Sequence, residues 1–295
     1  MKKGYLFALG AYLTWGLFPV YWKLLQQVPA TQLLGHRIAW SFILLVGILL
    51  VSKRWKAFLK AAARWQVLRA YMLAGILIGV NWLIYVSAVN AGFIVETSLG
   101  YFINPLLSVI FGVAFLRERL RPVQWVPIAL AACGVAYLTI SYGRLPWIAL
   151  SLAFSFGIYG LIKKVSPLDS ISGLTLETGI LFLPAIGWLI FSELGGEGAF
   201  LHSGLGLDLL MVGAGLVTTI PLLMFASAVQ RIPLSMVGLM QYIAPTLQFL
   251  LGVLVYREPF SQTQMIGFSL VWIALLFFWG EGVLAQRRRV PSPAD

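Results

Sequence analysis

The stretch SLGYFINPLLSVIFGVAFLRERL (Ser98–Leu120) returns 140 positions later as MQYIAPTLQFLLGVLVYREPF (Met240–Phe260). Sliding one onto the other pairs Ile103 with Ile243, Pro105 with Pro245, Leu107 with Leu247, Gly112 with Gly252, Val113 with Val253, and Arg117-Glu118 with Arg257-Glu258. Each copy is a hydrophobic segment with a proline in its middle and an Arg-Glu pair near its end. Each is long enough to cross a bilayer, because ~20 apolar residues rising ~1.5 Å apiece cover a ~30 Å hydrocarbon core. The repetition therefore predicts a duplicated membrane protein.

Composition agrees. Apolar and aromatic residues make up 60% of the chain and charged residues only 11%, which is outside the range of soluble domains. The net charge of +11 is spread over short gaps between apolar runs and forms no single basic face, so no nucleic-acid partner is expected. Cys133 is the only cysteine, which leaves no intrachain disulfide and no cysteine-based metal site. The apolar stretch after Met1-Lys-Lys carries Pro19 and no small-residue cleavage pattern, so it is expected to be retained as a first span.

Ten apolar runs of spanning length are expected, near 4–22, 32–51, 70–89, 93–115, 122–141, 145–162, 171–191, 208–229, 233–256 and 262–280. Counted by alternate loops, seventeen Lys and Arg residues fall on one side and three, Lys23, Arg144 and Arg257, on the other. The positive-inside bias then puts both termini in the cytoplasm. Residues 53–69 read as a short amphipathic helix on the anionic inner leaflet, with Lys53, Lys56, Lys60 and Arg64 on one face and Trp55, Phe58, Ala62 and Trp65 on another. The glycine-rich stretch 193–208 reads as a flexible external loop.

Five spans per copy is an odd number, so the second copy must enter the membrane from the opposite side. The expected organisation is an all-α polytopic protein of ten transmembrane helices in two inverted five-helix repeats, 1–142 and 143–286, followed by a basic cytoplasmic tail, 287–295. Such repeats mark secondary transporters. At an offset of 141 the repeat extends to Gly16 with Gly157, Lys23 with Lys164 and His36 with Glu177.

Ionisable residues within spans are costly and by default functional. Arg37 is the one basic residue inside a span, about a turn beyond its outer end, with His36 beside it and Trp40 and Ser41 one turn further on. Glu96 lies one turn into its own span from the same side and is the natural partner of Arg37, either in a structural ion pair or in a solute or coupling site. His36 fits a hydrogen-bonded core histidine as well as a proton site. Glu177 enters from the cytoplasmic side with no basic partner evident in the neighbouring spans, which makes it, with Glu96, a candidate proton carrier. Deeper, Asn81, Trp82, Tyr85, Tyr101, Asn104, Gln241, Tyr242 and Gln248 suggest a cavity of aromatic and amide groups, with Trp15 and Trp40 facing it. Pro105, Pro245 and Pro221 each free a backbone carbonyl at depth. Gly75 and Gly79 form a Gly-xxx-Gly pair suited to helix packing.

No hydrolase, zinc-protease or phosphate-loop motif is present, so neither an enzyme nor a nucleotide-driven pump is expected. Without a nucleotide or other cofactor, transport would draw on a gradient, with the proton as candidate coupling ion. No carbonyl filter or ring of charges suggests a channel.

The runs Ala11–Pro19, His36-Arg-Ile-Ala-Trp-Ser41, Asn81–Leu83, Glu96–Pro105, Phe154–Phe156, Gly213–Leu223 and Gln241–Thr246 resemble the RarD branch of the EamA family of drug/metabolite transporters. The resemblance covers nearly the whole chain. It implies an inner-membrane permease of ten helices in two EamA repeats, with a link to chloramphenicol in the family's naming. The function expected is permeation of a small amphipathic or aromatic solute, a chloramphenicol-like drug or a metabolite, by alternating access. Its partners would be that solute and the lipid bilayer. A non-transporting receptor or scaffold is the alternative, but it would not require Arg and Glu within the bilayer.

Overall fold

The computed structural model describes residues 2–91, 93–143, 145–257 and 261–287, and among these it is helical throughout, with no strand. Arg144, Glu258 and the basic tail from 288 onward, all used in the readings above, lie outside the described residues. Helix α1 (Lys2–Leu24) leads to α2 (Ala30–Val51), the short α3 (Trp55–Ala62), α4 (Trp65–Asn90) and α5 (Ile94–Ala114). After a 3-10 turn (Pro122–Gln124) come α6 (Trp125–Ser141), α7 (Trp147–Val165), α8 (Ser170–Leu194) and α9 (Leu205–Val229). The last segments are α10 (Leu234–Gln241), α11 (Ile243–Leu250) with a π-helical turn (Leu251–Val255), and α12 (Gln262–Arg287).

Eight helical segments are both long and apolar enough to span a membrane, which makes the chain a multi-pass membrane protein. Helices α1 and α12, of 23 and 26 residues, are of spanning length as well. Small residues let these helices meet closely. Gly215 of α9 sits against the Trp40-Ser41 backbone of α2, where the Ser41 hydroxyl donates to the Gly215 carbonyl at 3.1 Å. Gly75 and Gly79 of α4 face Glu177 and Leu181 of α8, which is the packing use their spacing suggested.

Two local expectations are revised. The amphipathic segment does not run through 69: α3 ends at Ala62, with Phe58 buried and Lys56 and Lys60 exposed, and Trp65–Arg69 open α4. The span at 233–256 is not one regular helix. Pro245 has no N–H to give the carbonyl of Gln241 and its ring crowds that turn, so the α-helix breaks at Tyr242. Pro105, its counterpart, stays inside a continuous α5.

The two copies of the decisive stretch end alike. Arg117 and Arg257 both take the left-handed backbone, at φ 54° and 55°. The largest buried cluster, with Ala8, Tyr12, Phe111, Tyr159, Phe225, Ile232 and Leu234, joins α1, α4, α5, α7, α9 and α10.

Candidate functional site

A cavity of about 280 Å³ opens between the two halves of the chain. Helix α1 contributes Tyr12, Trp15, Phe18, Pro19 and Trp22, and α2 contributes Arg37. Asn81, Trp82 and Tyr85 come from α4, and Gly100, Tyr101 and Asn104 from α5. Across from them stand Leu152 and Phe156 of α7, Thr218 and Leu222 of α9, and Gln241, Ala244, Pro245 and Gln248 of the broken α10–α11 span. Pro105 and Pro245 each lack an N–H, so the carbonyls one turn earlier, on the cavity residues Tyr101 and Gln241, are released from the helical ladder.

Among the described residues Arg37 is the only charged one in the lining. Its guanidinium lies between two indoles, 4.8 Å from the Trp22 ring and 4.9 Å from the Trp82 ring, and its Nε donates to Thr218 Oγ1 at 3.0 Å. That is its only hydrogen bond among the described residues. Tyr85 and Tyr101 are the titratable groups nearest to it, their own rings edge-on at 5.8 Å. Asn81 is held by donating to Leu152 O and Ser155 Oγ, both at 2.9 Å, while Gln248 donates to Trp15 O at 3.0 Å. The Tyr12 hydroxyl is buried without a partner among the described residues. The floor is aromatic: Phe156 packs on Phe225 at 5.3 Å, and Phe225 stacks on Tyr159 at 6.1 Å.

Of the residues singled out in the sequence for the cavity or for coupling, Trp15, Arg37, Asn81, Trp82, Tyr85, Tyr101, Asn104, Gln241 and Gln248 line this cavity. Five do not. His36 is buried against Phe200, 5.1 Å between ring centroids, and Trp40 faces the same phenylalanine at 6.0 Å. Tyr242 points away and donates to Phe102 O at 3.1 Å.

Glu96 does not pair with Arg37. Its carboxylate accepts from the Tyr142 hydroxyl at 2.6 Å and from the Ile148 backbone N–H at 2.8 Å, where it meets the positive end of α7. Glu177 is not without a basic partner. It is fully buried, with Lys163 Nζ at 2.8 Å and the Tyr159 hydroxyl at 3.0 Å. Lys163 is one of the seventeen basic residues of the cytoplasmic loop count, yet it belongs to the last turn of α7 and is wholly enclosed.

A third carboxylate fastens the end of the bundle opposite the cavity. Glu118 Oε1 accepts from Leu234 N at 2.6 Å, and Oε2 accepts from Ser235 N at 2.9 Å and Ser235 Oγ at 2.6 Å. This satisfies donors at the start of α10 that no helical carbonyl can reach. A Cβ on Gly112 would come within 2.5 Å of Glu118 Oε2, so the glycine of the repeated motif is what admits the carboxylate. Beside it Lys164 donates to Ile232 O at 2.7 Å.

Comparison with known proteins places this architecture. The sequence profile of the EamA-like transporter family matches twice, over residues 2–140 and 145–280. The chain belongs to the EamA-like transporter family. Within this EamA family it is 47% identical to the uncharacterized transporter YojE of Bacillus subtilis, over 94% of this chain and 93% of that protein. It is 41% identical to protein RarD of Escherichia coli, over 97% of each, and the chain is a RarD-type EamA permease. A more distant relative, at 28% identity over 97% of each chain, is named chloramphenicol-sensitive protein RarD in Pseudomonas aeruginosa. One solved crystal structure aligns with a TM-score of 0.69 at 20% identity, over 93% of this chain and 96% of that one, a likeness of fold.

Proposed function

We propose that this protein is a secondary transporter of the bacterial inner membrane, moving a small amphipathic or aromatic solute by alternating access, with both termini in the cytoplasm. The observation that carries the reading is the cavity between the halves, lined by aromatic rings and amides around one guanidinium. Ten spans in two inverted five-helix repeats, 1–142 and 143–286, account for how the helices pack. Helix α1 lies on α9 as α7 lies on α4, α2 meets α9 as α8 meets α4, and α1 meets α10 and α11 as α7 meets α5. The pairs α2 with α8, α5 with α10 and α6 with α12 fall on the expected axis.

Arg37 of α2, the cavity residues of α4 and α5 and most of those of α1 stand toward the helix ends that face outward in this topology, while Phe156, Thr218 and Pro245 lie near mid-span and Leu222 beyond it, so the cavity reaches from the outer half of the membrane to its middle. Its cytoplasmic end is shut by the aromatic floor, the Lys163–Glu177 pair and Glu118 on α10. The conformation is thus one accessible from outside or occluded, and the transport step opens the Glu118 end. A gradient drives it, with the proton as the ion to test first. The solute is a metabolite or a drug of the kind that the Pseudomonas aeruginosa relative's name mentions.

The test is flux in proteoliposomes of the purified protein, with labelled amphenicols, nucleosides and aromatic acids, with and without an imposed proton gradient. Flux above protein-free liposomes that falls in Arg37→Met is expected. No flux of any member under either gradient refutes the reading.

A further inference from the structure

We infer that the cavity takes a monoanionic organic carboxylate with a flat apolar body, its carboxylate seated on Arg37. The inference deepens the transport reading above and rests on it for the cavity's role as a solute path.

A guanidinium has five N–H donors in a planar fork. In Arg37 one of these, on Nε, goes to Thr218, and the remaining four find no acceptor among the described residues. Trp22 and Trp82 favour the positive charge through their π faces and hold the guanidinium between them, but neutral rings do not cancel it. A positive charge at membrane depth without a counter-ion is costly, and it is retained where a ligand supplies the missing charge. Carboxylate geometry matches the free edge of the fork through two parallel hydrogen bonds.

The rest of the lining limits what the carboxylate is attached to. Among the described residues neither Asp nor Glu faces the cavity, so a second formal charge on the solute, and a positive one above all, meets no opposite charge there. One guanidinium matches one negative charge. Trp15, Phe156, Tyr85 and Tyr101 line the space with aromatic rings, an apolar surface suited to a flat body, and about 280 Å³ is near the lower end of the ~300–1,000 Å³ typical of ligand cavities. Chloramphenicol is neutral and leaves the fork unanswered, so this site ranks it below an aromatic acid.

The experiment uses the full chain in nanodiscs at pH 7, with three indoles in three charge states, indole-3-acetate (anionic), indole-3-acetamide (neutral) and tryptophan (zwitterionic), and with chloramphenicol as a second neutral aromatic probe. Indole-3-acetate should bind at least about tenfold more tightly than its amide, since the fork makes charge-assisted bonds only to the acid, and more tightly than zwitterionic tryptophan and neutral chloramphenicol. Arg37→Met should abolish the acid-to-amide ratio while keeping the amide's affinity, and Arg37→Lys should retain part of the ratio. The wild-type ratio decides the question even if Arg37→Met fails to fold.

Equal binding of acid and amide, tighter binding of tryptophan, no binding of the acid, or an acid preference that survives Arg37→Met would each overturn the anion site. Counterflow of labelled indole-3-acetate, measured against protein-free liposomes, separates this from the transport reading. Acid-selective binding without counterflow sinks transport and leaves the anion site standing. Chloramphenicol flux with no acid preference does the reverse.

Discussion

Lys163→Met should destabilise the protein severely, and Lys163→Met with Glu177→Gln should recover most of the loss. The two charges are 2.8 Å apart and 0% and 1% exposed. At that distance and an effective dielectric of ~20 their attraction is about 6 kcal/mol, which offsets a dehydration cost of similar size. The intact pair therefore adds little net stability. Removing one member leaves the other uncompensated, at a cost of ~3–5 kcal/mol, a large share of a typical folding free energy of ~5–15 kcal/mol.

The loss should not be symmetric. Glu177→Gln leaves the ammonium over the Tyr71 and Tyr159 rings, at 5.2 and 5.8 Å, and the amide still accepts from the Tyr159 hydroxyl. It should cost less than Lys163→Met, and the double variant, which buries no charge, less than either. Reversible SDS unfolding of the four proteins gives the coupling energy, expected to be at least ~2 kcal/mol. Additive losses would refute the claim that the pair acts as a closed unit. Equal wild-type stability of Lys163→Met would refute its burial.

Three further outcomes are expected. Glu118→Ala removes three hydrogen bonds at the start of α10 and should loosen the end opposite the cavity, seen as faster hydrogen exchange confined to Leu234–Gln241 and residues 117–121, while Gly112→Ala reproduces it by displacing the same carboxylate; unchanged exchange in both would contradict the cap. Tyr12→Phe deletes a buried hydroxyl that has no partner among the described residues, so it should leave thermal stability unchanged or raised, and a loss of more than ~1 kcal/mol would show that the hydroxyl is bonded after all. In the 195–204 loop the hydrogen bond to Glu193 Oε1, and then that carboxylate's charge, raise the His202 pKa above the ordinary ~6.5. The contribution of this contact to stability is therefore present below pH ~6.5 and lost as pH rises through the raised value; NMR titration of the ring should show the midpoint falling in Glu193→Gln.

The spans were legible because an apolar run of ~20 residues has few other uses, and the repeat because Pro105 with Pro245 and Gly112 with Gly252 keep one register. Polar residues of the cavity were legible for the same reason: Arg37, Asn81, Asn104 and Gln241 contrast with their surroundings. Tyr12, Phe18, Trp22 and Phe156 were missed, since an aromatic residue in an apolar run gives no such contrast. Which face of α1 turns inward is set by close approaches, such as Gly16 on Leu247 and Gly213 on Tyr21, that only the assembled bundle defines. Lys163 was lost to the loop count, because of two adjacent lysines at a helix end one turns inward to Glu177 and the other reaches Ile232 O. The available signal was Tyr159 with Lys163, one turn apart on α7 and so on one face toward Glu177.

The chain carries its own comparison for reading Arg37. A buried charge kept for packing is seen in Lys163, which is enclosed, meets a carboxylate at 2.8 Å and opens on nothing. The other carboxylates near the spans are likewise engaged: Glu96 at the start of α7, Glu118 at the start of α10, and Asp208 with the Leu201 N–H at 2.8 Å. None of these is within reach to neutralise Arg37. A role in helix packing alone would have been met by the ion pair with Glu96 that the sequence suggested, and the fold directs that glutamate elsewhere. Arg37 is instead held between two tryptophans with most of its donors unused, facing the space that a solute would fill. Its counter-charge has to arrive with what enters the cavity.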